Sequence, residues 1–246
     1  MRLQDKTILV VEDEPILLEI ASKWLRQIGC HVLGAENGAV ALERIKSVPI
    51  DLIVSDIRMP VMDGLAFLRA TRARGRHLPS VIFVAGFSDI SPRDAYDIGA
   101  EALLPKPYKR EELISQIQKS LTDREELWRT PAKAESLPLL RAAFESLAAS
   151  LKRGLIAFGR GGFCVSSNTG FSQGRVRLAV DFQQDHKDVV GDGIVRWVEK
   201  NEQMIGVEII SLEESCRKWV AGSATENQTR SFIPRTARAA AAHASS

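Results

Sequence analysis

The sequence predicts an α/β doubly wound parallel sheet of five strands, followed by a second domain built as a small antiparallel β-barrel with flanking helices. Three observations carry that prediction. Four short apolar runs, Ile8–Val11, Leu52–Val54, Val81–Val84 and Leu103–Leu104, are continuous rather than alternating, as in strands buried on both faces. Helical apolar patterns separate those runs, which is the β-α alternation of an open parallel sheet. From Leu155 onward the texture changes, and apolar and polar residues alternate between Gly- and Asp-rich turns.

The elements follow in order. After the first strand, Pro15 opens a helix at its first turn, Ile16, Ile20, Trp24 and Ile28 give it an apolar side, and Gly29 ends it. Cys30–Leu33 is a weaker fifth strand, expected near an edge. Ser91-Pro92 opens another helix that Gly99 closes, and Leu113, Ile114, Ile117 and Leu121 face the core from the last one. That last helix reads on through Arg124–Trp128. Trp128 lies a heptad beyond Leu121, so it is either a homodimer seam or a cap on the first domain. A break at Pro131–Pro138 marks the boundary. Leu139–Lys152 then reads as an amphipathic helix on Leu140, Phe144, Leu147 and Leu151, closed by Gly154. Strands follow at Gly161–Val165, Arg175–Phe182, Gly193–Val198 and Ile205–Ile210. A final helix buries Leu212, Cys216, Trp219 and Val220. From about Ala221 the chain is rich in Ala, Ser and Thr and carries Arg230, Arg235 and Arg238, the composition of a disordered tail. The expected division is 5–122, a linker or extended helix at 123–137, a second domain at 138–221 and a tail at 222–246.

Composition excludes several classes. With 246 residues, 45% hydrophobic and 26% charged, the chain holds two modest globular domains rather than extended disorder. No stretch approaches the roughly 18 apolar residues of a membrane span. Residues 1–6 meet the first strand too early for a signal peptide. Cys30, Cys164 and Cys216 have no metal-ligand spacing and suggest no disulfide framework, so a soluble cytoplasmic protein is expected. Residues 1–128 carry 17 Lys and Arg against 19 Asp and Glu, the remainder 16 against 12, and neither balance is that of a DNA-binding domain.

In a doubly wound sheet, ligands bind beyond the carboxyl ends of the strands. Glu12-Asp13 follows the first apolar run, Asp56 ends the strand at Leu52, and Lys106-Pro107 follows the last run. Acidic residues at strand ends are usually solvated loop residues; three of them with a lysine at one sheet end favour a site. Clustered carboxylates repel and invite a hard cation such as Mg2+. A carboxylate beside that cation can attack a phosphoryl group.

Residues 5–122 resemble the receiver domain of two-component response regulators, a flavodoxin-like fold. The motifs are Ile8–Pro15, Asp51–Gly64, Gly99-Ala100 and Lys106-Pro107, in family order and spacing. The resemblance implies that Asp56 is the phosphoacceptor and Lys106 contacts the phosphoryl group. It implies that Asp13, Asp56 and the Arg58 backbone carbonyl ligate Mg2+, with Glu12 supporting it through water. Pro60 and Gly64 shape the loop after the phosphorylated strand. The implied phosphoryl donor is a histidine kinase or phosphotransfer protein. Two positions depart from the family: Ala85 stands where a Thr or Ser hydroxyl is usual, and Leu103 where the switching aromatic is usual. Phe87 and Tyr108 are either substitutes for that aromatic or packing.

The second half resembles a PilZ domain in Gly161–Phe163, Asp181-Phe182, Gly193–Trp197, Ile205–Glu208 and the closing helix from Leu212. Family members that bind cyclic di-GMP use Arg-x-x-x-Arg and Asp/Asn-x-Ser-x-x-Gly. Here the Asp and Ser positions before Gly162 hold Ala157 and Gly159. Arg141, Lys152 and Arg153 lack the arginine spacing, Arg160 reads as a solvated loop residue, and Arg72 and Arg76 have the spacing but lie in the first domain. Cyclic di-GMP is therefore not an expected ligand, and the module is expected to bind an unidentified protein. The alternatives are a cyclic di-GMP effector tuned by the receiver and a phosphorylation-independent scaffold. An enzymatic output is not expected: the second half's histidines, His186 and His243, fall in a turn and in the tail.

Overall fold

A computed structural model describes residues 3–73, 79–86, 89–130, 136–167, 170–201, 203–226 and 230–235. The chain forms two compact units, one of Met1–Ser91 with Ile98–Thr122 and one of Pro92–Asp97 with Asp123–Ser246. Arg76, Phe87, Arg238 and His243 lie outside the described residues.

The first unit contains β1 (Thr7–Val11), α1 (Pro15–Gln27), β2 (His31–Ala35), α2 (Gly38–Ser47), β3 (Leu52–Asp56), α3 (Gly64–Arg72) and β4 (Ser80–Ala85). The next helix in sequence, α4 (Pro92–Asp97), groups with the second unit, and β5 (Ala102–Pro105) and α5 (Arg110–Leu121) complete the first. The sheet has the order β2-β1-β3-β4-β5 and every pairing is parallel. The weak strand after Cys30 is an edge strand, as its composition predicts. Ile8, Val10, Leu52, Val54, Ile82 and Val84 meet Leu25, Leu113 and Ile117 on one face. Their neighbours Leu9, Ile53 and Phe83 point the other way and are equally buried, which explains the continuous apolar runs. In α1 the buried side is Ala21, Ser22 and Leu25, whereas Ile16 is 74% and Ile20 40% exposed. The predicted stripe holds at Trp24 and Ile28, which pack against the core, and fails at Ile16 and Ile20, because α1 is apolar over much of its circumference and Leu18, Ala21 and Leu25 cover the sheet instead.

Helix α5 does not run on. Thr122 is extended, and Asp123 starts a separate short helix, α6 (Arg124–Leu127), by accepting from the amides of Glu125 and Glu126. Trp128 is neither seam nor cap: it is buried in the core of the second unit beside Leu140 and Phe163, and its carbonyl accepts from Leu212 N at 2.9 Å.

That unit continues with β6 (Leu139–Phe144), α7 (Leu147–Arg153), β7 (Ile156–Phe158), β8 (Gly162–Ser166), β9 (Gly174–Phe182), a 3-10 turn at Gln183–Asp185, β10 (Lys187–Glu199), β11 (Met204–Leu212) and α8 (Glu214–Glu226). The six strands are ordered β6-β9-β10-β11-β8-β7. The predicted small antiparallel barrel is a curled half-barrel, left open between β6 and β7 and not antiparallel throughout. Among the described residues β6 does not pair with β7, and β6 runs parallel to β9. The predicted helix over Leu139–Lys152 is a strand followed by a short helix. Leu140 and Phe144, four apart, share a face in either periodicity, and Ser146 caps a helix that begins only at Leu147. The expected tail also shortens, since α8 reaches Glu226 and Ser231–Ile233 is packed against the unit. All three cysteines are buried free thiols. No described helix is long and apolar enough to cross a membrane.

Candidate functional site

The strand order fixes where a site can form. Strand β1 pairs with β2 on one side and β3 on the other, so the chain reverses its direction of winding there and leaves a crevice beyond their carboxyl ends. Glu12 and Asp13 follow β1, Asp56 ends β3, and Lys106 follows β5. Carboxylate oxygens of Glu12, Asp13 and Asp56 lie within 4.8 Å of one another. Lys106 Nζ is 2.7 Å from Asp56 Oδ2 and 3.0 Å from Glu12 Oε2. The predicted Glu12, Asp13, Asp56 and Lys106 thus come together, across 94 residues of sequence in the Lys106–Glu12 pair.

Asp56 is oriented by its own backbone. Its Oδ1 accepts from the amides of Ile57 at 2.6 Å and Arg58 at 3.4 Å. Gly64 returns the following loop to the strand, donating its amide to Ile57 O at 2.9 Å. A Cβ on Gly64 would fall 2.2 Å from Asp56 O, so only glycine permits that approach. Between them, Val61 adopts φ 67° and is 86% exposed, and Met62 N bonds Pro60 O at 2.8 Å, a strained turn for a β-branched residue. Gly38 N donates to Met62 O and anchors the loop to α2.

The electrostatics are those of crowded like charges. Burial, with the nearby Asp56 charge, raises the Glu12 carboxyl above its ordinary value against the opposing pull of Lys106. Burial alone would lower the Lys106 ammonium, but its hydrogen bonds to Asp56 and Glu12 outweigh that and raise it. Among the described residues, Glu12 Oε1 is buried without a hydrogen-bond partner. An orphaned carboxylate oxygen beside two further carboxylates fits a hard divalent cation that takes oxygen ligands.

Some residues entered that the sequence did not reveal. Asp89 accepts from Gly86 N at 2.5 Å and pairs with the Arg58 guanidinium, joining the loops after β3 and β4. The only signal for it was an aspartate three residues after a glycine, which is common in turns. Ala85 is buried at the end of β4 and carries no hydroxyl. Tyr108 packs edge-on against Trp24 at 6.3 Å between ring centroids, which is the packing role. Arg72 donates to Gly99 O at 2.9 Å inside the first unit.

Comparison with known proteins places these observations. A model of the response regulator receiver domain matches residues 8–118. The response regulator receiver protein CpdR of Brucella abortus is 33% identical over 117 residues, covering 47% of this chain and 97% of CpdR. The DNA-binding transcriptional regulator NtrC of Escherichia coli K12 is 33% identical over 124 residues, half of this chain but 26% of NtrC. The chain thus spans about a quarter of that relative. A solved chemotaxis response regulator of Vibrio cholerae is 28% identical, covering 48% of this chain and all of its own, with a TM-score of 0.44.

Proposed function

The chain belongs to the response regulator receiver family of two-component systems, and from that premise we propose that Mg2+-dependent phosphorylation of Asp56 controls a protein-binding second unit. The observation that carries this reading is the convergence of Glu12, Asp13, Asp56 and Lys106 at the crevice between β1 and β3.

The chemistry follows from those residues. The Asp56 carboxylate attacks the phosphorus of a phosphohistidine on the donor kinase or phosphotransfer protein. An Asp56 O–P bond forms as the P–N bond breaks, and the donor nitrogen keeps the electron pair and takes up a proton. Lys106 is already placed to follow the charge from the carboxylate onto the phosphoryl oxygens. Asp13, Asp56 and the Arg58 carbonyl would hold magnesium, with Glu12 supporting it through water; when bound it supplies neutralisation of the converging negative charge. The protein acts as a cytoplasmic regulator with no substrate turnover of its own.

The second unit is read as PilZ-like without the ligand chemistry for cyclic di-GMP. Ala157 and Gly159 support that reading, and so does the turn at Arg160-Gly161, whose amides are already taken by Ser231 O and Phe232 O. Helix α4 supports coupling: it groups with the second unit, and it follows β4 and precedes β5 in the chain. Ala85 favours a second reading, a scaffold whose output phosphorylation leaves unchanged, because the hydroxyl that would draw a loop inward is missing.

The test is mass spectrometry of the full chain with acetyl phosphate and Mg2+, then solution scattering with beryllofluoride. The proposal expects one phosphoryl group on the wild type and none on Asp56→Asn. An unmodified wild type, or equal modification of the variant, sinks the phosphoacceptor assignment. Modification without any change in scattering selects the scaffold.

A further inference from the structure

The turn Gly159–Gly162 joins β7 to β8, closed by Gly159 N on Gly162 O at 2.7 Å. Ser231–Ile233 lies across it as a bent segment, hydrogen-bonded to the turn on one side and to α4 on the other. On one edge Arg160 N donates to Ser231 O and Gly161 N to Phe232 O, each at 3.0 Å. On the other, Phe232 N donates to Tyr96 O of α4 at 2.9 Å, and Ser231 Oγ to Asp97 O at 2.7 Å. Phe232 and Ile233 fill an apolar seat made by Tyr96, Ala157, Cys164, Trp197 and Met204. The Arg124 guanidinium lies 4.8 Å from the Phe232 ring centroid. The seat is shaped by missing side chains: a Cβ on Gly161 would lie 2.0 Å from the Phe232 ring, and one on Gly159 2.4 Å from Phe232 O.

These features are those of peptide recognition. Backbone groups of the turn and of α4 hold a short chain whatever its sequence, while a pocket for an aromatic and then an aliphatic side chain supplies selectivity. The main core of the unit, around Phe163, Val180 and Val207, does not include Phe232 or Ile233. The occupying segment therefore contributes to a satellite cluster. Being tethered, it outcompetes a free peptide by its high effective concentration.

We infer that the seat between the Gly159–Gly161 turn and α4 is a peptide-binding site, held in cis by Ser231–Pro234. Its partner is a short segment of another protein that presents an aromatic residue followed by an aliphatic one. This inference does not rest on the phosphoacceptor reading, because every residue in it belongs to the second unit.

The experiment uses the full chain with Phe232→Ala and Ile233→Ala together, and a fluorescent peptide copying residues 229–236. The double variant should bind the peptide at least tenfold more tightly than the wild type. A third change, Gly161→Val, should abolish that binding, and a peptide carrying both alanines should not bind. Equal binding by wild type and double variant, or binding that survives Gly161→Val, overturns the proposal. Concentration-dependent dimerisation of the wild type by exchange of this segment also overturns it, by making a second copy the occupant. If the double variant fails to fold, hydrogen exchange on the wild type decides. The amides of Arg160 and Gly161 should exchange at least tenfold faster than those of β9 and β10. Equal rates mean the segment leaves only with global unfolding and sink the idea.

Discussion

Asp51 lies just before β3, where Lys6 Nζ approaches its Oδ1 at 2.8 Å and Thr7 N donates to its Oδ2 at 2.8 Å. Burial would raise this carboxyl, but those two partners outweigh it and lower it below the ordinary 3.8. A lowered carboxyl contributes stability that is present above that ordinary value and is lost as pH falls through the lowered one. Asp51→Asn is therefore expected to cost up to about 1 kcal/mol at neutral pH, since the pair is a third exposed. Denaturant titrations should show that deficit closing below pH 3.8. Gly64 is a stricter position. Gly64→Ala should lose roughly 1–3 kcal/mol, because the methyl group meets the Asp56 carbonyl and the chain must move. Lys106→Ala has the opposite character: it removes a cation that now occupies both Glu12 and Asp56. Magnesium affinity by calorimetry should rise in that variant while its response to beryllofluoride falls; an unchanged response would remove Lys106 from the phosphoryl site.

At the scale of elements, α1 presents an apolar surface that its own domain does not use. Ile16 and Ile20 lie one turn apart and are exposed, on the helix that begins two residues after Asp13. Under the proposed phosphoryl transfer to Asp56, this surface is where a donor protein is expected to contact the chain. Ile20→Asp should slow transfer from a phosphohistidine donor at least tenfold and leave the rate with acetyl phosphate unchanged. A parallel fall in both rates would mean that the substitution had distorted the acidic site instead. Strands β1, β3 and β4 were the most legible because they are buried on both faces and must be apolar throughout, as Ile8–Val11 is, whereas the partly exposed β2 and β5 leave shorter or weaker runs. The face of α1 was legible only at Trp24 and Ile28, because helical spacing names an apolar line without saying which of several lines a sheet will cover.

At the scale of the molecule, the chain is two units, and Trp128 belongs to the second. Trp128→Ala should cost that unit roughly 3–5 kcal/mol, the usual loss for a buried large aromatic. Calorimetry should show the loss, while beryllofluoride binding at Asp56 persists; loss of that binding would place Trp128 in the first unit's stability. Magnesium should raise the melting temperature of the wild type and not of Asp13→Asn, because a ligand stabilises only the state that binds it.

The acidic site could be read from the chain because its residues sit at strand ends, and strand ends are where apolar runs stop. Glu12, Asp13, Asp56 and Lys106 each carry that mark, and a parallel sheet brings such ends to one side whatever the loops do. Asp89 on Arg58, Trp128 in the second core, the parallel strand β6 and the seat for Phe232 were decided only by tertiary structure. In each case, partners distant in sequence settle the outcome. Leu140 and Phe144 suit a helix or a strand until β9 pairs beside them, and Ser231–Ile233 sits in a stretch with the overall composition of a loose tail until a glycine turn and α4 complete its hydrogen bonds. Local pattern fixes which residues can be buried; the fold decides what buries them.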